Sequence, residues 1–142
     1  MTNKGPRNMT TAIALLANRC GLSQREAAEY LDVRLDTFKA WAAPDRNPAK
    51  PFAVVELRAL YAKIEAAADQ GVRAIHKVPA GGAVELGYCA DDHEAQSLGF
   101  PFASCHRAML GIVVGRVDDR VITLVPRGST MGTAAAMQAH GF

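Results

Sequence analysis

Apolar positions follow a helical rhythm over the first half of this chain and a mixed one after Gly71. Ile13, Leu16 and Ala17 stand at i, i+3 and i+4, on one face of a helix that Thr10 or Thr11 can cap and that runs to about Arg19. Gly21 is placed to end it, because glycine takes the left-handed conformation at no steric cost. Ser23-Gln24-Arg25-Glu26 is an S-x-x-E capping box, so a second helix starts there and turns Ala27, Ala28 and Leu31 inward. Asp32-Val33-Arg34 reads as a turn. A third helix follows, with Phe38 and Trp41 at i and i+3 on its buried side and Asp36 in the first turn, where the helix dipole favours a carboxylate. Residues 43–50, with Pro44 and Pro48, form a loop. Pro51 suits the first position of a long fourth helix reaching about Asp69. Along it Leu57, Leu60, Tyr61 and Ile64 make a stripe fit for a core or for a dimer contact.

After Gly71 the period changes. Val72–Val78 fits either a strand or an extension of the fourth helix, and Pro79-Ala80-Gly81-Gly82 is a turn. Val84, Leu86 and Tyr88 alternate as in a half-buried strand. Asp91 or Asp92 caps a short helix stopped by Gly99, and Pro101 opens another through Phe102, Cys105, Met109 and Ile112. Val117-Asp118-Asp119-Arg120 is a turn before an apolar strand over Val121–Val125, and the alanine-rich last dozen residues form a short helix or a tail. The pattern predicts an α+β chain. A loose segment 1–9 precedes an all-α bundle of four helices over 10–70, and residues 72–142 form a small α/β region with two or three short strands and two helices.

Composition changes this picture little. The 142 residues are 49% hydrophobic and 21% charged, as in an ordinary folded domain rather than a disordered chain. The longest apolar run, around Met109–Val114, is far short of the roughly 20 residues that cross a bilayer. The N-terminus lacks the apolar segment and cleavage site of a signal peptide. Cys20, Cys89 and Cys105 are irregularly spaced and give no disulfide framework, which predicts a reducing cytoplasm. The net charge of +2 arises wholly in the front half. That agrees with a phosphate contact, although placement on one face matters more than the sum.

The stretch Gly21-Leu22-Ser23-Gln24-Arg25-Glu26-Ala27-Ala28-Glu29-Tyr30-Leu31-Asp32-Val33, with Thr37-Phe38-Lys39-Ala40-Trp41 behind it, resembles the Cro/phage-repressor (Xre-like) helix-turn-helix family. The resemblance covers residues 10–70 and stops at Gly71. It implies a domain that binds double-stranded DNA and whose third helix lies in the major groove with its first residues toward base edges. Those residues are Arg34, Leu35, Asp36, Thr37, Lys39 and Ala40. Arg34 can read guanine through O6 and N7, Thr37 a base edge or a thymine methyl, and Lys39 a base or a phosphate. Gln24 matches the family's phosphate-contacting glutamine, and Arg25 stands beside it at a helix N-terminus that suits an anion. Two departures stand out. Asp32 replaces the family's turn glycine, and Ala42-Ala43-Pro44 replaces its usual Glu-Arg-Gly, so Arg46 and Lys50 in the loop become candidates for phosphate contacts. The plainer readings remain open beside these: Arg34 as a surface charge, and Asp36 as a helix cap.

The back half carries less chemistry. If its two strands are neighbours, the intervening helices make them parallel, joined right-handed. That brings Cys89, Asp91, Asp92 and His93 near Arg127, Ser129 and Thr130 at the strands' C-terminal edge, the usual place for a small-molecule ligand. The bland alternative is a helix cap and a polar turn. Cys89, His93, Cys105 and His106 are zinc-type ligands, but paired knuckles are absent, so no metal or other cofactor is expected. No nucleophile motif or P-loop marks an enzyme. The sequence therefore predicts a transcriptional regulator, a repressor acting as a homodimer on an inverted repeat. Its dimer surface would be the Leu57/Leu60/Tyr61/Ile64 stripe or the helix Phe102–Val114. An antitoxin-type protein, binding DNA through 10–70 and a protein partner through 72–142, is the alternative.

Overall fold

A computed structural model of the chain describes residues 10–44 and 48–127. The segment 1–9, Arg46, Ser129, Thr130 and the alanine-rich C-terminal stretch lie outside the described residues. In order, the elements are α1 (Ala12–Arg19), α2 (Gln24–Leu31), α3 (Leu35–Ala42), α4 (Pro51–Ile75), β1 (Ala83–Tyr88), α5 (Asp92–Ser97), α6 (Ala103–Arg116) and β2 (Val121–Pro126). This is the expected α+β class, four helices followed by a small region of two strands and two helices. Among the described residues no helix is long and apolar enough to cross a membrane. The chain divides into two compact units, the first ending at Tyr61 and the second beginning at Ala62, within α4.

In the first unit Thr11 caps α1, its Oγ1 accepting from the amide of Ala14 at 3.3 Å. At the other end the amides of Leu22 and Gly21 donate to the carbonyls of Ala17 and Asn18, with Gly21 at φ +81°. This pair of bonds is a Schellman close, and a Cβ at Gly21 would strain it. Ile13, Leu22, Leu31, Phe38, Trp41 and Leu57 are buried together with the small Ala27 and Ala28. Arg19 reaches α4, donating to the Tyr61 hydroxyl at 2.8 Å and stacking over its ring. Leu57, Leu60 and Ile64 are at most 3% exposed. The stripe expected to serve either a core or a dimer is therefore core.

In the second unit α4 does not stop near Asp69 but continues through Gly71 to Ile75. Ala68, Gly71 and Ile75 extend the buried stripe at i+4, i+7 and i+11 from Ile64, and its burial outweighs the roughly 1 kcal/mol that glycine costs inside a helix. Val72–Val78 is thus helix and turn, not strand. β1 and β2 pair in parallel, from Ala83 opposite Val121 to Tyr88 opposite Pro126. Val84 and Leu86 are buried, as is the α6 face formed by Cys105, His106, Met109, Leu110 and Val113. Arg120, just before β2, donates to the carbonyl of Val78 from Nε at 3.1 Å and Nη2 at 2.7 Å, fixing the chain beyond α4. On β2, Val121 is 63% and Leu124 48% exposed.

Candidate nucleic-acid interface

The motif α2–turn–α3 is built by local bonds that its residue types dictate. Ser23 Oγ accepts from the amide of Glu26 at 3.1 Å, and Glu26 Oε1 accepts from the amide of Ser23 at 3.0 Å, completing the capping box. The box leaves the first amides of α2, those of Gln24 and Arg25, outside its bonds, and both side chains are exposed there. At the other end the amides of Val33 and Asp32 donate to the carbonyls of Ala28 and Glu29, with Asp32 at φ +55° and ψ +48°. Asp32 therefore adopts the left-handed conformation normally given to glycine, which Asp tolerates better than most residues. This tight close sets the start of α3 directly after α2.

Helix α3 buries Phe38 and Trp41 and leaves Asp36 and Lys39 exposed, with Ala40 partly so. At 100° per residue, Asp36, Lys39 and Ala40 form the ridge opposite the core, while Thr37 and Leu35 lie on its two flanks. The N-cap is Arg34, and no side chain bonds the first-turn amides. Asp36 stands inside the first turn, where it complements the dipole but does not cap; the reading of Asp36 as the cap is corrected accordingly. The C-terminal end follows from Ala43, extended at φ −86° and ψ 128°, ahead of Pro44.

Trp41 meets Phe52, in the first turn of α4, edge to face at 6.2 Å between ring centroids. That contact brings the start of α4 against α3 and opens a cleft of about 460 Å³ lined by Arg34, Thr37, Lys50, Trp41, Phe52 and the turn residues Asp32 and Val33. Two cations and a hydroxyl thus share a concave surface with an aromatic ring that is 46% exposed. The predicted contact residues fall into three groups: Arg34, Thr37 and Lys50 in the cleft, Asp36, Lys39 and Ala40 on the ridge, and Gln24 and Arg25 at the N-terminus of α2. Leu35 is half-buried on the ridge's far flank. Sequence reasoning missed Phe52, whose position next to the helix-starting Pro51 was its one visible signal.

The strands' C-terminal edge is assembled differently from the expectation. Asp91 caps α5 through the amide of Glu94 at 2.9 Å. Asp92 caps α6, its Oδ1 accepting from the amide of Ala103 at 2.8 Å. His93 is exposed. Cys89 and Arg127 do come together, one residue beyond the last strand pair, and His106 of α6 is near enough to feel the charge of Arg127. Burial pushes the Cys89 thiol up against the opposing pull of Arg127. His106 is lowered to about 4, first by burial and then by the charges of Arg127 and Arg107. Among the described residues no three His, Cys, Asp or Glu side chains converge as a metal site.

Comparison of the chain with protein-family models, with curated proteins and with solved structures returned no match.

Proposed function

We propose that residues 10–70 bind double-stranded DNA sequence-specifically and that the chain is a transcriptional regulator, a repressor by operator occlusion. The observation that carries this reading is the α2–turn–α3 geometry, closed at Asp32, with an uncapped α3 N-terminus beside the Arg34/Thr37/Lys50 cleft. An uncapped helix start and flanking cations suit phosphate oxygens, and the exposed ridge suits base edges. Arg34 is the principal base reader in this reading, and Gln24, Arg25 and Lys50 hold the backbone.

A regulator of this kind presents two recognition helices one DNA turn apart, about 34 Å, which calls for a homodimer. The surface that supports one is β2. Val121 and Leu124 lie on opposite faces of that strand yet are both exposed, no strand among the described residues pairs with its outer edge, and no charge interrupts Val121–Val125. Antiparallel pairing of β2 with β2 of a second copy is isologous and closes the assembly. The antitoxin-type alternative gives the same edge to a heterologous partner, and co-purification of a second small protein would favour it.

Selection from random DNA followed by binding of variants tests the reading. One sequence class should be enriched. Arg34→Ala should relax preference at one base position at a cost of about 1–3 kcal/mol, while Gln24→Ala should weaken all sequences alike. Absence of enrichment, together with wild-type binding by both variants, would overturn DNA recognition through this motif.

A further inference from the structure

At the C-terminal edge of β1 and β2 the parallel register places Cys89 and Arg127 side by side, one residue beyond the last pair, with the Arg127 amide donating to the carbonyl of Tyr88 at 3.0 Å. Helix α6 contributes the buried His106, which lies within range of the Arg127 charge. Its ring is 0% exposed and meets Phe100 edge to face at 5.4 Å. Neither His106 nitrogen has a hydrogen-bond partner among the described residues, and neither has the buried Nη1 of Arg127. The neighbouring carboxylates do not supply one: Asp91 is bonded to the amide of Glu94, Glu94 to the amide of Ala90, and Asp92 to the amide of Ala103. Three buried polar atoms without partners among the described residues, one of them on a guanidinium, are a rare and costly arrangement in a folded domain.

We propose that Cys89, His106 and Arg127 form a binding site for a small carboxylate-bearing molecule. A carboxylate supplies two acceptor oxygens and a negative charge, matching the orphan Arg127 Nη1–H and the N–H of a neutral His106. Arg127 is only half-buried, so a ligand enters from its side. The position, beyond the carboxyl ends of parallel strands, is where α/β folds place ligands. The site stands whether or not residues 10–70 bind DNA; in the proposed regulator it is an effector site.

The test uses the full chain with sodium acetate, inorganic phosphate and sodium chloride as separate titrants. His106 ring nitrogens are followed by NMR, and Cys89 alkylation by peptide mapping. Acetate should shift the His106 signals saturably and slow Cys89 alkylation. The unfolding temperature should rise with the logarithm of ligand concentration. Arg127→Gln should abolish all three responses, and the wild-type His106 signals localise binding even if that variant does not fold. A response to phosphate alone overturns the carboxylate assignment. A response shared by chloride, or none to any titrant, overturns the site.

Discussion

Asp32 carries the turn of the motif at φ +55°, a conformation that costs any residue with a Cβ more than it costs glycine. Asp32→Gly should therefore raise stability by a few tenths to about 1 kcal/mol, whereas the β-branched Asp32→Val should lower it by about 1–2 kcal/mol. Urea midpoints at constant m-value measure both, and a destabilised glycine variant would mean that the Asp32 side chain contributes more than its backbone costs. The second prediction at this scale concerns His106. Its folded pKa of about 4 lies below the ordinary 6.5, because burial and the positive charges of Arg127 and Arg107 disfavour the imidazolium. Between those values the unfolded chain binds more protons than the folded one. The stabilisation is thus complete above 6.5 and is lost progressively as the pH falls toward about 4, by up to about 3 kcal/mol. Urea unfolding across that window should show the wild type losing more stability than His106→Leu, which has nothing to titrate at that position. Parallel losses in the two proteins would count against a buried neutral histidine.

Helix ends were the most legible features of the sequence, because caps are local chemistry. Thr11, the Ser23/Glu26 box, Gly21, Pro51, Asp91 and Gly99 all stand where their residue types required. Local signals failed where burial overrode them. Gly71 has the look of a helix terminator, yet it occupies the buried stripe of α4 between Ala68 and Ile75, and the helix passes through it. Asp36 has the look of a cap, but the backbone leaves Arg34 in that position. The cap on α6 was illegible for another reason: its acceptor, Asp92, belongs to the preceding helix, eleven residues from the amide of Ala103. Asp92 serves two elements, as a first-turn carboxylate in α5 and as the side-chain cap of α6, whose own N-cap, Phe102, has no acceptor. Asp92→Ala should cost about 0.5–2 kcal/mol and Asp92→Asn much less, because asparagine keeps an acceptor oxygen. Thermal or urea unfolding measures this, and equal losses would assign the effect to charge near the helix termini rather than to the cap.

For the molecule as a whole, the fold class was legible from hydrophobic period, whereas the surfaces that recognise anything were only partly so. Arg34 and Thr37 were picked out by the helix-turn-helix resemblance and Lys50 by its charge in the loop, but their convergence with Phe52 depends on how α4 meets α3, which periodicity does not encode. The same gap hid which apolar surfaces stay exposed. The stripe on α4 and the inner face of α6 are buried in the protein's own core, and among the described residues of the second unit the exposed large apolar side chains are Val114 on α6 with Val121 and Leu124 on β2. Edge strands are ordinarily protected by charged residues, proline or a covering element, whereas β2 carries no charge and meets proline only at its last residue, Pro126. If a second copy completes the sheet, a charge at Leu124 should separate the chains, since like charges would then face one another across the two-fold axis. Leu124→Lys and Leu124→Glu are both needed, because one adds and the other removes attraction for DNA. Each should halve the mass seen in sedimentation, and neither should change monomer stability by more than about 0.5 kcal/mol, given the side chain's exposure. Binding to a single half-site should differ between the two only through the added charge. Binding to an inverted repeat should fall in both by about 10²-fold or more, because the second half-site contact would no longer be intramolecular. Dimeric variants with undiminished inverted-repeat binding would remove β2 as the interface while leaving the DNA-binding motif untouched.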